Sequence, residues 1–245
     1  MRGAFTLLSI DCGNPMYLGA TSRLIDEILE QTDFDIILTT NRIDSFEDKP
    51  IERVKIRNIK YSDLVFSFDM GFNYNLKFLC FEDIPEIYDY LIYLDGDIKL
   101  EGWGINSINL IEQLLQSSEV IGTRFNAVLK NEYQHYLDGI GHTFSHKIHS
   151  YEIEKYELND DIFESRLPSE HFLILKNIPS KMNIFANHWK DMNYYLQSKN
   201  GMGGSHCDAF EIGISLRKAS FNDIHDMSYG TSVVDLGFKF NGNKR

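Results

Sequence analysis

The stretch Tyr90-Leu91-Ile92-Tyr93-Leu94-Asp95-Gly96-Asp97-Ile98-Lys99-Leu100 decides how the chain is read. Its first five residues, Tyr90 to Leu94, are apolar or aromatic without a break. A run this short and this rich in Ile and Tyr fits a strand buried on both faces, as in a parallel sheet. The run stops abruptly at Asp95-Gly96-Asp97. From an extended chain, carboxylates at i and i+2 point the same way, because side chains alternate. Gly96 keeps the space between them open and lets backbone approach a ligand. Hard oxygen ligands of this kind suit Mg²⁺ or Mn²⁺ shared with a substrate phosphate. The end of a central strand is also where open α/β sheets place their ligands. The plain alternative is that Asp-Gly only makes a polar turn.

Composition sets the frame for that motif. The chain has 245 residues, which suits one large α/β domain or two small ones and allows a sizeable core. A hydrophobic content of 43% with 13% aromatics belongs to a globular protein. Lys and Arg number 24 against 36 Asp and Glu, a net charge of −12, which argues against nucleic acid as the main partner. An anionic substrate would then need a metal or a local Lys or Arg. Cys12, Cys80 and Cys207 are far apart and odd in number, which fits a reducing, cytoplasmic setting better than a disulfide framework. The apolar run at Ala4–Ser9 is too short and mixed for a signal peptide. No run is long enough for a membrane span, so any membrane attachment would be peripheral.

Taken in order, Ala4–Ile10 reads as a first strand and Tyr17–Gln31 as an amphipathic helix. Phe34–Leu38 reads as a second strand, and this βαβ order implies a parallel sheet. Arg53–Ile59 is a half-exposed strand by its alternation. Tyr61–Phe81 reads as mostly helical, with a break near Gly71. Pro85 suits the first turn of a short helix. After the acidic motif, Ile105, Ile108, Ile111 and Leu115 repeat at helical spacing and are expected in the core. Glu119–Gly122 is a strand and Phe125–Asp138 a helix. The Gly-rich turn Asp138–His142 follows no strand and is not a dinucleotide loop. Lys147–Arg166 is a polar, acidic excursion. Ser169–Leu175 is again a strand. Lys181–Leu196 is the clearest helix, with Phe185, Trp189, Met192 and Leu196 as its packing face. A helix opens near Asp208 and runs through Leu216, and Phe221–His225 and Val233–Phe238 are strand-like.

A hydrophobic strand ending in Asp-x-Asp, with a Leu or Val shortly after, resembles the signature of GT-A-type glycosyltransferases. The likeness is to members with a Tyr-Leu-Asp-x-Asp core, the glycogenin and bacterial lipopolysaccharide galactosyltransferase group, and is local to roughly Leu76–Leu115. It implies a GT-A, Rossmann-like α/β fold: one domain with a mixed, mostly parallel sheet flanked by helices. By the same resemblance, residues up to about 125 form a nucleotide-binding half and those from about 126 an acceptor half. Asp95 and Asp97 would hold Mn²⁺ or Mg²⁺ and, with Gly96, the diphosphate of a nucleotide sugar such as a UDP-sugar. Ile10, Asp11 and Asn41 would meet the base and ribose, and Lys77 the donor. His225 would be the third metal ligand. The expected His-x-x-Gly-x-Lys pattern is missing there, so Asp223 and Asp226 are its rivals.

The activity implied is transfer of a sugar to a hydroxyl of a glycan or small-molecule acceptor, in polysaccharide biosynthesis. If the transfer inverts, a carboxylate must take the hydroxyl proton, and Asp208, Glu211 and Glu170 are candidates. Each reads equally well as a helix cap or surface charge. A haloacid-dehalogenase-type phosphatase also uses Asp-x-Asp after a strand. It wants a Thr soon after the second Asp and an N-terminal position, and this chain has Ile98-Lys99 in mid-chain. A sugar nucleotidyltransferase would need a Gly-rich loop with Arg after Ile10, which is absent. A non-catalytic nucleotide-sugar-binding module stays open.

Overall fold

The computed structural model describes residues 1–11, 16–59, 74–96, 98–123, 127–128, 151, 155, 164–168, 171–200, 208–227 and 236–240. For 16, 17, 74, 75, 127, 128, 196–200, 208, 239 and 240 it describes the backbone alone. Strand β1 (Gly3–Ser9), helix α1 (Met16–Gln31) and strand β2 (Asp35–Thr40) form the expected βαβ unit. Next come β3 (Val54–Asn58), a 3-10 segment Tyr74–Phe81, β4 (Tyr90–Leu94), β5 (Ile98–Leu100), α2 (Ile105–Ser117) and β6 (Val120–Gly122). The later elements are β7 (Ala127–Val128), β8 (Arg166–Leu167), β9 (Phe172–Lys176), α3 (Pro179–Asn200), α4 (Asp208–Lys218), β10 (Ile224–Asp226) and β11 (Phe238–Phe240).

The main sheet has seven strands in the order β10-β6-β9-β4-β1-β2-β3. Six run in one direction, and β9 lies antiparallel between β4 and β6. This is a single α/β domain with a mixed, mostly parallel sheet. Strand β9 comes from the second half of the chain yet pairs with strands of the first half on both sides, so the two halves share one sheet.

The unbroken apolar run of β4 has the physical reason read from it. Tyr90, Ile92 and Leu94 face one core, with Leu24, Ile25 and Ile28 of α1 and Ile111 and Leu115 of α2. Leu91 and Tyr93 face the other, with Phe185 and Trp189 of α3, Ile212 and Leu216 of α4, and Phe78 and Phe81. Alternate residues thus serve opposite layers, and neither face tolerates a polar side chain. Phe185, Trp189 and Met192 are all fully buried, so the packing face of α3 is as expected; the Leu196 side chain lies outside the description.

Four expectations need correction. Ile105 is 68% exposed, because it begins α2, and of the four apolar residues expected in the core only Ile111 and Leu115 are buried. Tyr74–Phe81 is a 3-10 segment rather than α-helix, with Leu76, Phe78, Cys80 and Phe81 all buried. Around Pro85 there is a turn, closed by Tyr88 N–H donating to the Pro85 carbonyl at 3.4 Å, and no helix. Ala127–Val128, expected in a helix, is a short strand paired with β8. The Gly-rich stretch at 138–142 and most of the acidic excursion lie outside the described residues.

Candidate active site

Asp95 directly follows β4 and leaves the sheet at the carboxyl end of its central strands. Its N–H donates to the His171 carbonyl at 3.0 Å, continuing the β4–β9 pairing by one step. The Ile98 N–H donates back to the Asp95 carbonyl at 3.0 Å. The chain therefore turns over 95–98, and strand alternation does not carry through Gly96 as an extended chain would require. Asp97 lies outside the described residues. The close approach that Gly96 allows is to α1, since a Cβ there would stand 2.6 Å from Thr21 Oγ1.

Three side chains converge on the Asp95 carboxylate. The Tyr93 hydroxyl donates to Oδ1 at 2.5 Å, and His171 Nδ1 lies 2.7 Å from Oδ2. Lys77 Nζ stands 3.2 Å from Oδ1 and from Oδ2. Burial alone would push the Asp95 carboxyl up. The Lys77 charge, the His171 bond and charge, and the Tyr93 bond outweigh it and hold the group well below the usual carboxylate range. An ionised carboxylate only accepts, so His171 carries its proton on Nδ1 in this pair. The side chains of Lys77 and Asp95 are 7% and 16% exposed, which makes this a largely desolvated ion pair.

Residues expected from the first two strands gather at the same edge. Thr6 pairs with Tyr93, so Ile10–Asp11 and Asp95 leave the sheet on one side. The Asp11 N–H donates to Asn41 Oδ1 at 2.8 Å, and Asn41 Nδ2 donates to the Asp11 carbonyl at 3.1 Å. This closed pair ties the end of β1 to the end of β2. Ile10 is 7% exposed and belongs to the core beneath. Arg42 Nη1 donates to Asp11 Oδ2 at 2.5 Å, and its Nη2 meets Asp44 at 2.9 Å. Its hydrogen bonds donated to Asp44 and then to Asp11 hold the guanidinium above its ordinary range, and Arg42 in turn lowers Asp44.

The remaining expectations fall elsewhere. Glu211 is fully buried where α4 meets α3, and its Oε2 accepts from Trp189 Nε1 at 2.7 Å. The rings of Trp189, Phe81 and Tyr93 link it to Asp95, so it sits inside the packing and not in an open cleft. Asp208 opens α4, and only its backbone is described; Glu170 lies outside the description, next to His171. His225 is not brought to Asp95. It shares a row with Ile121, Ile174 and Ile92, three strands from β4. At ordinary strand spacing that is about 14 Å across the sheet, and its row lies three residues short of Asp95. Among the described residues no group of three His, Cys, Asp or Glu forms a metal cage. Tyr93, His171 and Arg42 are the site residues that sequence reasoning passed over, Tyr93 having been read only as part of the apolar strand.

Two cavities lined by described residues lie away from this edge. One of about 520 Å³, lined by Ser118, Arg166, Arg217 and Asp223 among others, opens at the starting ends of β6 and β10. Another of about 420 Å³, by Glu82, Asn177 and Lys190, lies beside the finish of β9. Neither contains Asp95, and the carboxylate with its converging donors is the stronger chemical signal. Among the described residues no helix is long and apolar enough to cross a membrane.

No family model matches the chain, and no curated protein matches it. Among solved structures, mouse xyloside xylosyltransferase 1 in its apo form is similar over 99% of this chain and 98% of its own. The identity is 11% and the TM-score 0.48.

Proposed function

We propose that the chain is a metal-dependent glycosyltransferase, moving a sugar from a nucleoside diphosphate sugar, with UDP as the nucleotide, to a hydroxyl of a glycan or small-molecule acceptor. The observation that carries the reading is Asp95: an ionised carboxylate at the end of the central strand, faced by the ammonium of Lys77. The closed Asp11–Asn41 pair gives the same edge a polar, backbone-fixed rim for a ribose or base. In an acidic chain, Lys77 and Arg42 supply positive charge at the edge where a diphosphate would lie.

The donor set fits a hard divalent ion. Asp95 offers an ionised carboxylate, and Asp97 follows two residues on in the sequence. When bound, Mn²⁺ or Mg²⁺ would supply charge neutralisation on the leaving nucleoside diphosphate. The chain does the rest. Asp95 and Asp97 hold the ion, His171 and Tyr93 fix the orientation of Asp95, and Lys77 binds the diphosphate. Asp208 or Glu170 takes the acceptor proton if transfer inverts, while buried Glu211 supports the α3–α4 packing. The polysaccharide-building role and cytoplasmic setting belong to the same proposal.

Incubation with UDP-sugars tests this by release of UDP, with and without an acceptor. Release should require Mn²⁺ or Mg²⁺, should stop with EDTA, and should fall at least a hundredfold in Asp97→Asn while the variant stays folded. Release that persists at the wild-type rate in EDTA would overturn metal dependence. A chain that binds UDP-sugar without ever turning it over is a binding module.

A further inference from the structure

We infer that the cavity at the starting ends of β6 and β10 is a binding site for a neutral saccharide, separate from the Asp95 edge and independent of the function proposed there. Val120 of β6 is level with Leu175, and Leu175 with Leu91 of β4. The cavity therefore lies back from Asp95 by about 13 Å along the strands, at ordinary strand rise. Its volume of about 520 Å³ is that of a small-molecule site. Backbone contacts fix its walls. The Asp223 carbonyl accepts from Glu119 N–H at 2.7 Å and from Val120 N–H at 3.1 Å. Lys181 Nζ donates to the Ser220 carbonyl at 2.7 Å and to Glu119 Oε1 at 2.6 Å, which ties the turn before β10 to α3. Gly213 lets α4 approach β8, since a Cβ there would overlap the Arg166 carbonyl.

The chemistry of the walls selects the ligand. Phe221 and Ile224 are the large apolar residues of the lining, too few for an apolar ligand. Arg166 and Arg217 are matched by Glu164 and Asp223, so the lining carries no net charge. The last turns of α2 and α4 reach the cavity through Ser117 and Arg217, and each brings the negative end of a helix dipole. Two carboxylates and two helix ends oppose an anion, and two guanidinium groups oppose a cation. Among the described residues the Arg166, Asn222 and Asp223 side chains make no hydrogen bond or ion pair, and all three are exposed. Ser165 is 1% exposed and its Oγ has no hydrogen-bond partner, a state that a buried hydroxyl rarely keeps. Donors and acceptors thus stand side by side. A saccharide hydroxyl is both at once, and neighbouring hydroxyls match the two-pronged guanidinium and carboxylate.

Titration of the ¹⁵N-labelled protein with maltose, cellobiose and lactose, without metal or nucleotide, tests the site through its backbone amide resonances. At least one of these disaccharides should shift Ser118, Asn222 and Ile224 to saturation and leave Asp11 and Asp95 unmoved. Arg166→Ala and Asp223→Ala should each weaken that binding at least fivefold. Both side chains are exposed and the backbone contacts stay, so both variants should unfold at the wild-type temperature. Inorganic phosphate and ethylenediamine, as probes of the two charges, should leave the cavity amides in place. No shift with any of the disaccharides would overturn the inference, and so would wild-type affinity in both variants. An equal shift with phosphate or the diamine would overturn the saccharide as ligand. A disaccharide that moves only the amides near Asp95 would also overturn it, while leaving the function proposed for that edge intact.

Discussion

At Asp95 a carboxylate with 16% of its side chain exposed stays charged because an ammonium, an imidazole N–H and a phenol all face it. Taking that charge away leaves Lys77 buried against a neutral amide. Asp95→Asn should therefore lose about 3 kcal/mol of stability in denaturant unfolding at pH 7, the usual cost of breaking a buried ion pair. The pH dependence follows from the direction of the shift. A carboxyl depressed in the native state adds stability that is fully present above its unfolded pKa of about 4 and is lost as pH falls through the native value. The gap between wild type and Asp95→Asn should narrow on acidification below about pH 4; a gap that stays constant would contradict the ion-pair account. Asp95 was legible in the sequence because a carboxylate closing an apolar strand stands out, and Lys77 came only from the family resemblance. His171 was not, since nothing in Ser169–Leu175 says that its first turn returns beside Asp95. That neighbour is made by the antiparallel register of β9. Glu211 misled for the converse reason. Its helix was visible, but the Trp189 partner comes from another helix, and which side of α4 faces inward is decided only by packing.

Among the elements, β4 was the easiest to read, because both side-chain parities are apolar and each serves a different core. Its continuation was harder. Asp-Gly-Asp suits an extended strand or a turn, and the bond from Ile98 N–H to the Asp95 carbonyl selects the turn. That turn lies against α1, and α1 holds β5 as well: Glu27 accepts from Leu100 N–H at 2.9 Å, and Gln31 Nε2 donates to its carbonyl at 3.1 Å. Gly96 is not among the residues with positive φ, so an alanine there meets a steric obstacle and no backbone strain. Its Cβ would lie 2.6 Å from Thr21 Oγ1. Gly96→Ala should cost about 1–3 kcal/mol as overpacking does. Adding Thr21→Ala should recover at least half of that in a double-mutant cycle. Strict additivity of the two changes would show that α1 does not set the position of the turn. The 3-10 form of Tyr74–Phe81 was not legible, because four inward-facing apolar residues in eight fit either helix type.

For the molecule as a whole, the βαβ start and the unbroken apolar run of β4 were enough to give a mostly parallel α/β sheet. The place of β9 between β4 and β6 was not, because strand order depends on pairings across a long excursion. The same long-range pairing separates His225 from Asp95 by three strands, a distance that spacing along the chain does not encode. With a net charge of −12, and with Lys77 and Arg42 at this edge already paired to Asp95, Asp11 and Asp44, binding of an anionic donor should depend on a divalent ion. Calorimetric titration with a panel of nucleoside diphosphates, in Mn²⁺ and then in EDTA, tests that dependence most directly. Wild type should bind UDP in Mn²⁺ and lose at least tenfold, about 1.4 kcal/mol, in EDTA, and Asp97→Asn in Mn²⁺ should match wild type in EDTA. Equal UDP affinity in Mn²⁺ and EDTA, or no binding by any member of the panel, would contradict the account.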